Sequence, residues 1–200
     1  MNPQYTHTVL VVILVTLPLW VLARRFVYQR QKPVSKSAHY KQELAYALLY
    51  CYFIGLVSIT LLPFSKYTNS FPNRANIVPF VNAVTNLEDI LKTHTFRIML
   101  PHLVENILGN LVLLVPIGFL FPICFRYFQS FKRVIIAGFL VSFVIETLQY
   151  FLKFVAIYRS ADIDDIILNT TGVALGYLAY QLLVVKKSFQ PSYAENNLTT

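Results

Sequence analysis

Apolar residues gather in five blocks along the chain, at about 6–23, 44–62, 103–125, 133–152 and 164–185. Each is close to the roughly 20 residues that a helix rising 1.5 Å per residue needs to cross a hydrocarbon core about 30 Å thick. The pattern predicts an all-α protein, a polytopic membrane helix bundle with about five transmembrane helices. The first block has no Lys or Arg before it, and Arg24 and Arg25 follow it. A cleaved signal peptide has positive charge first and a small-residue cleavage site after. The block is therefore expected to be a retained anchor, with a kink at Pro18, which lacks a backbone donor.

Between the second and third blocks lie 63–102, including "NRANIVPFVN" and "NLEDILKTHTFRIML". Leu87, Ile90, Leu91 and Ile98 are separated by polar residues, the spacing of a short helix lying in the membrane interface. Asn76 and Pro79-Phe80 read as an extended or turn-like element. A loop of about 40 residues with no soluble domain of its own is expected to act as a cover over the ends of spans three to five. The expected organisation is an N-terminal anchor and basic loop over 1–43, a membrane domain over 44–186 and a cytoplasmic tail over 187–200.

Composition agrees with the blocks. The 200 residues are 56% hydrophobic and 13% charged, about half the charge of an ordinary soluble domain, near 25%. Cys51 and Cys124 both fall in apolar blocks, with no metal-ligand spacing and no disulfide framework. No phosphate loop, G-x-G-x-x-G or internal repeat is present, so neither a cofactor nor a metal is expected.

Charge sets the expected orientation. Lys and Arg mark the cytoplasmic side. With the N-terminus outside, the inner segments hold Arg24, Arg25, Arg30, Lys32, Lys36, Lys41, Arg126, Lys132, Arg133, Lys186 and Lys187. The outer segments hold Lys66, Arg74, Lys92, Arg97, Lys153 and Arg159. Eleven against six places the N-terminus outside and the C-terminus in the cytoplasm of a cell-membrane protein. The net charge of +8 then lies mostly against anionic inner-leaflet lipid. No soluble basic domain is present to bind nucleic acid.

This orientation brings the unusual polar residues to one end. His102, Glu105, Asn106 and Asn110 start the third span, and the two asparagines share a helical face. Ser142, Glu146 and Gln149 are spaced 4 and 3 near the end of the fourth. Asp162, Asp165, Asn169, Gly172 and Gly176 make one stripe on the fifth, while Asp164 falls off it. Charged groups deep in a span cost about 2.5–3.5 kcal/mol on insertion scales and normally face a partner. Arg159, three residues before Asp162, is the expected partner. Plainer roles exist for these residues. Gly172-x-x-x-Gly176 is a close-packing pattern, and acids at a helix start are favoured by its dipole, with Asp162 as a cap.

"NIVPF", "ENILGNLVLLVPIGFLFP", "ETLQYF" and "RSADIDDIILNTTGVALGY", in that order over about 56–183, resemble the VanZ-like family. Its name-giving member is associated with low-level resistance to teicoplanin, a glycopeptide antibiotic carrying a fatty acyl chain, without the altered peptidoglycan terminus. The resemblance places the family's pattern on Asn76, Pro79, Phe80, Asn106, Asn110, Pro116, Gly118, Glu146, Gln149, Asp162, Asp165, Asn169 and Gly172. It implies no settled reaction.

Two functions stay open on these residues. The first is a binding or accessory protein at the outer leaflet. Asn76, Asn106, Asn110, Glu146, Gln149, Arg159, Asp162, Asp165 and Asn169 would engage a membrane lipid, a cell-wall precursor or a lipidated glycopeptide. The second is a membrane enzyme on a lipid-linked substrate, with Glu146, Asp162 and Asp165 as acid/base groups raised by burial or as ligands of Mg²⁺ or Ca²⁺. His102 and Glu105 are a further possible base pair. No H-E-x-x-H or G-x-S-x-G supports the second. A transporter fits less well, since the ionisable residues lie at one end only and no inverted repeat appears.

The orientation is testable with reporters. Alkaline phosphatase fused within 63–102 is expected to be active, and fused after Lys187 inactive. The opposite activities would reverse the topology.

Overall fold

The computed structural model describes residues 3–30, 36–61, 76–93, 96–152 and 162–185. They form helices α1 (Pro3–Arg30), α2 (Lys36–Leu61), α3 (Val81–Thr93), α4 (Phe96–Leu113), α5 (Val115–Cys124), α6 (Phe131–Leu152) and α7 (Ile163–Tyr180). A 3-10 turn, Arg126–Gln129, joins α5 to α6, and a π-helical turn, Gln181–Val185, extends α7. No strand occurs among the described residues, where an isolated parallel bridge pairs Asn76 with Asp162.

Five stretches are long and apolar enough to cross a membrane: Leu10–Val27, Gln42–Leu61, Met99–Cys124, Phe131–Leu152 and Ile163–Val185. The chain is an all-α, multi-pass membrane protein. The first stretch lies about four residues later than the apolar block read from the sequence, because Phe26 and Val27 carry the run past Arg24 and Arg25. The third block is two helices rather than one. Leu114 leaves helical geometry, with φ −102° and ψ 8°, and Pro116 stands in the first turn of α5. Proline has no N–H to give the preceding turn, and its ring crowds the carbonyl four residues back.

The chain divides into two compact units, Met1–Pro79 with Phe143–Ile163, and Phe80–Ser142 with Asp164–Thr200. In the first, α1 and α2 are joined by polar and aromatic contacts. Thr16 and Tyr50 share a hydroxyl hydrogen bond of 2.9 Å, and the Trp20 and Tyr50 rings lie 5.0 Å apart. Arg24 pairs with Glu43, and its guanidinium sits 3.8 Å over the Tyr46 ring. Lipid tails are as apolar as leucine, so helices in a bilayer associate through packing and hydrogen bonds of this kind rather than through hydrophobic burial.

In the second unit, glycines let backbones approach. A Cβ on Gly172 would lie 2.0 Å from the Leu111 carbonyl oxygen, and one on Gly176 2.0 Å from that of Val115. On the facing helix, a Cβ on Gly118 would lie 2.0 Å from the Val173 oxygen. These obstacles are backbone atoms and have no rotamer to change. Val173, fully buried, fills the space left by Gly138 of α6. Tyr177 donates its hydroxyl to the Gln129 carbonyl at 2.6 Å and packs against Phe131.

Gly172→Ala and Gly176→Ala are each expected to lower stability by about 1–3 kcal/mol, the usual cost of overpacking, in detergent unfolding monitored by circular dichroism. Gly109, with nothing within 4 Å of its would-be Cβ, supplies the control. Its change to alanine should be neutral, or stabilising by up to about 1 kcal/mol.

Candidate functional site

The first unit holds a hydrogen-bonded cluster around Asn76. The backbone carbonyl of Asn76 accepts from the Ile163 N–H at 3.0 Å, and its side-chain amide donates to the Asp162 carboxylate at 2.9 Å. Its side-chain oxygen accepts from the Val78 N–H at 3.3 Å, closing the local turn. Ile163 is the first residue of α7, where backbone donors have no intrahelical acceptor. Glu146, buried on α6, accepts the Asp162 N–H at 3.0 Å. Gln149, one turn on and also buried, donates to the Thr60 carbonyl at 3.0 Å. Thr60 is the penultimate residue of α2, so this amide satisfies an orphan carbonyl of the helix end.

The second unit holds the remaining acids. Asp164, in the first turn of α7, is buried and accepts the Phe80 N–H at 2.7 Å. Phe80 has φ +64°, and no other non-glycine residue described has a positive φ. This left-handed conformation is an outlier for a bulky side chain. Asp165 accepts from the Asn110 amide, and Asn110 also donates to Asn106 at 3.4 Å. Asn169 is fully buried and donates to the Ser142 hydroxyl at 3.0 Å. Its Oδ1 has no hydrogen-bond partner, and neither has the buried hydroxyl of the adjacent Thr170. Turning the Asn169 amide exchanges its two ends without filling both.

The candidate residues thus fall into two sets. Asn76, Glu146, Gln149 and Asp162 hold turns and helix ends of the first unit. Asn106, Asn110, Asp165 and Asn169 belong to the second, with Asn106 exposed and Asn169 buried. His102 and Glu105 lie 3.6 Å apart on an exposed face of α4. Arg159, the expected counter-charge, lies outside the described residues, so its pairing with Asp162 does too. Among the described residues, no three of His, Cys, Asp and Glu gather as metal ligands would.

Asp164 is the residue that helical spacing misplaces. Off the stripe, it nevertheless makes a long-range carboxylate contact, to a residue 84 positions away. The available signal was a first-turn acid combined with a Pro-Phe turn whose N–H needs an acceptor.

Long apolar helices, helix ends tied by side chains, and glycine-lined backbone contacts define a polytopic α-helical membrane protein. The model of the VanZ/LLP1 family matches residues 44–184, and the chain belongs to that family. No curated protein and no solved structure matches it.

Removing the Asp164 carboxylate leaves the Phe80 N–H without its acceptor. Asp164→Ala is expected to destabilise the protein by about 1–3 kcal/mol and to speed proteolysis around residues 76–81. Asp164→Asn keeps an acceptor oxygen and should lose less on both measurements.

Proposed function

We propose that this VanZ-type membrane protein binds the polar head of a cell-envelope lipid, lipid-linked precursor or lipidated glycopeptide at the outer leaflet. Asn106, Asn110, Asp165 and Asn169 are the binding residues. The observation that carries this reading is the Asn169 side chain, fully buried with its carbonyl oxygen unpartnered. A buried polar group without a partner costs about 1–3 kcal/mol. A donor arriving from a ligand, an amine, amide or hydroxyl, removes that cost. Asp165, one turn before Asn169, adds a negative charge that favours an amine. Amines and hydroxyls are abundant on lipid head groups, on the stem peptides of wall precursors and on glycopeptides.

The family supports the choice among these. Its name-giving member is tied to teicoplanin, which carries a fatty acyl chain, and a chain of that kind would partition into lipid with the polar portion left at the surface. On this reading the protein lessens the drug's access to its target, and vancomycin, which lacks the chain, is unaffected. The carboxylates of Glu146, Asp162 and Asp164 already accept hydrogen bonds that hold the chain together, which favours a structural role over acid/base chemistry for them.

Deleting the gene is expected to raise teicoplanin susceptibility several-fold and to leave vancomycin susceptibility unchanged. Complementation with Asn169→Leu should fail at matched membrane levels. In ligand titrations the same variant should weaken binding about tenfold, the effect of losing a hydrogen bond worth roughly 1.4 kcal/mol. Equal teicoplanin susceptibility with and without the protein would remove the resistance role. Unchanged binding by Asn169→Leu would remove the site.

A further inference from the structure

The helix α3 has its apolar stripe turned outward. Val84, Leu87 and Leu91 follow a 3 and 4 spacing, which puts them on one face. They are 52%, 46% and 55% exposed. Ile90, beside that face, is fully buried and is the anchor of α3 in its own unit. Phe80, just before the helix, is 55% exposed. The opposite face carries Thr85, Asp89 and Lys92, and Lys92 pairs with Glu88 at 3.0 Å. That pair raises the pKa of the Lys92 ammonium above its usual value, chiefly through the hydrogen bond that Lys92 donates to Glu88.

An exposed stripe of this kind needs an occupant, and chain connectivity supplies one. Only residues 94 and 95 separate α3 from α4, and the apolar stretch that crosses the membrane begins at Met99. From Thr93 to Met99 the chain spans at most about 20 Å even when extended, so the bilayer surface is within reach of the whole stripe. Exposed Arg97 lies in that connection, where a lipid phosphate can pair with it. The backbone of Phe80 adds a second observation. Its left-handed conformation is held by the buried Asp164 carboxylate. Strain retained at a bulky exposed side chain points to a functional position rather than to packing.

We propose that α3 and Phe80 form an interfacial foot. The stripe Val84, Leu87 and Leu91 lies in the boundary between lipid head groups and acyl chains, and Phe80, set by Asp164, inserts beside it. The bound surface is lipid and not a second copy of the chain. The foot does not depend on what the Asn169 site binds.

Tryptophan quenching tests it. The chain has one tryptophan, Trp20, so Trp20→Phe gives a silent background. Phe80→Trp, Leu87→Trp and the opposite-face Asp89→Trp are then made one at a time and reconstituted in phosphatidylethanolamine–phosphatidylglycerol vesicles. Lipids brominated near the head of the acyl chain are expected to quench Trp at 80 and 87 at least twofold more than Trp at 89. Aqueous acrylamide should show the reverse order. Acrylamide quenching of position 87 as strong as that of 89 would overturn the foot. Protection of 80 and 87 from both quenchers would also overturn it, and would instead mark a protein-covered face. Asp164→Ala in the Phe80→Trp background is expected to lower bromolipid quenching at 80 while leaving it unchanged at 87.

Discussion

The carboxylate-to-backbone hydrogen bond is the interaction on which the polar part of this protein rests. A backbone N–H just before or at the start of a helix has no acceptor within that helix, and leaving such a group unpaired away from water costs several kcal/mol. The chain meets that need with acids. Glu146 takes the N–H of Asp162, and Asp164 takes the N–H of Phe80. Asn76 serves the same purpose with its own carbonyl, on Ile163. Aspartates at the start of α7, which look misplaced next to an apolar helix, are there because acceptors are required there. Asp164 and Asp165, in the first turn, also match the sign of the helix dipole.

The second constraint is steric, and it runs along the same helix. On α7, Asp165, Asn169, Gly172 and Gly176 follow one another at spacings of 3 and 4. Asp165 meets Asn110 and Asn169 meets Ser142 through hydrogen bonds. Gly172 and Gly176 meet the carbonyls of Leu111 and Val115 through the absence of a side chain. Both are solutions to one problem. Helices in lipid gain little from burying apolar area against each other, so they associate by hydrogen bonds and by close backbone contact. The polar and glycine parts of the stripe therefore belong to one packing surface. Any ligand role for its polar members is added to a structural one.

How much of this was legible in the sequence depends on range. The five apolar blocks and the stripes on α4, α6 and α7 are visible because period and length are local properties. The break at Leu114 was missed because an uninterrupted apolar run masks the proline that causes it. The start of α3 at Val81 was obscured because the weakly patterned "VNAVTN" precedes the amphipathic part. Asp164 is hidden from periodicity because helical spacing compares residues on one helix, while its partner is a backbone group 84 residues earlier. Spacing shows Gln149 only as part of a polar face. Its partner, the Thr60 carbonyl 89 residues away, is likewise invisible to periodicity.

Sorting polar side chains by what they already satisfy divides the candidates more sharply than position along a span does. A residue such as Asn76 uses its carbonyl, its amide nitrogen and its side-chain oxygen on the protein itself. Its replacement would unfold a turn, and any loss of function would report that first. Gln149 and Glu146 serve backbone groups at helix ends in the same way. Asn169 is different in kind, because burial has removed it from solvent while leaving its acceptor unfilled. Its amide nitrogen already serves packing by donating to buried Ser142, and the acceptor end is what that packing leaves unused. On the proposed reading, a donor from outside the chain fills that acceptor. The proposed contact then centres on one side chain of the second unit, with Asp165 one turn before it and Ser142 bonded to it.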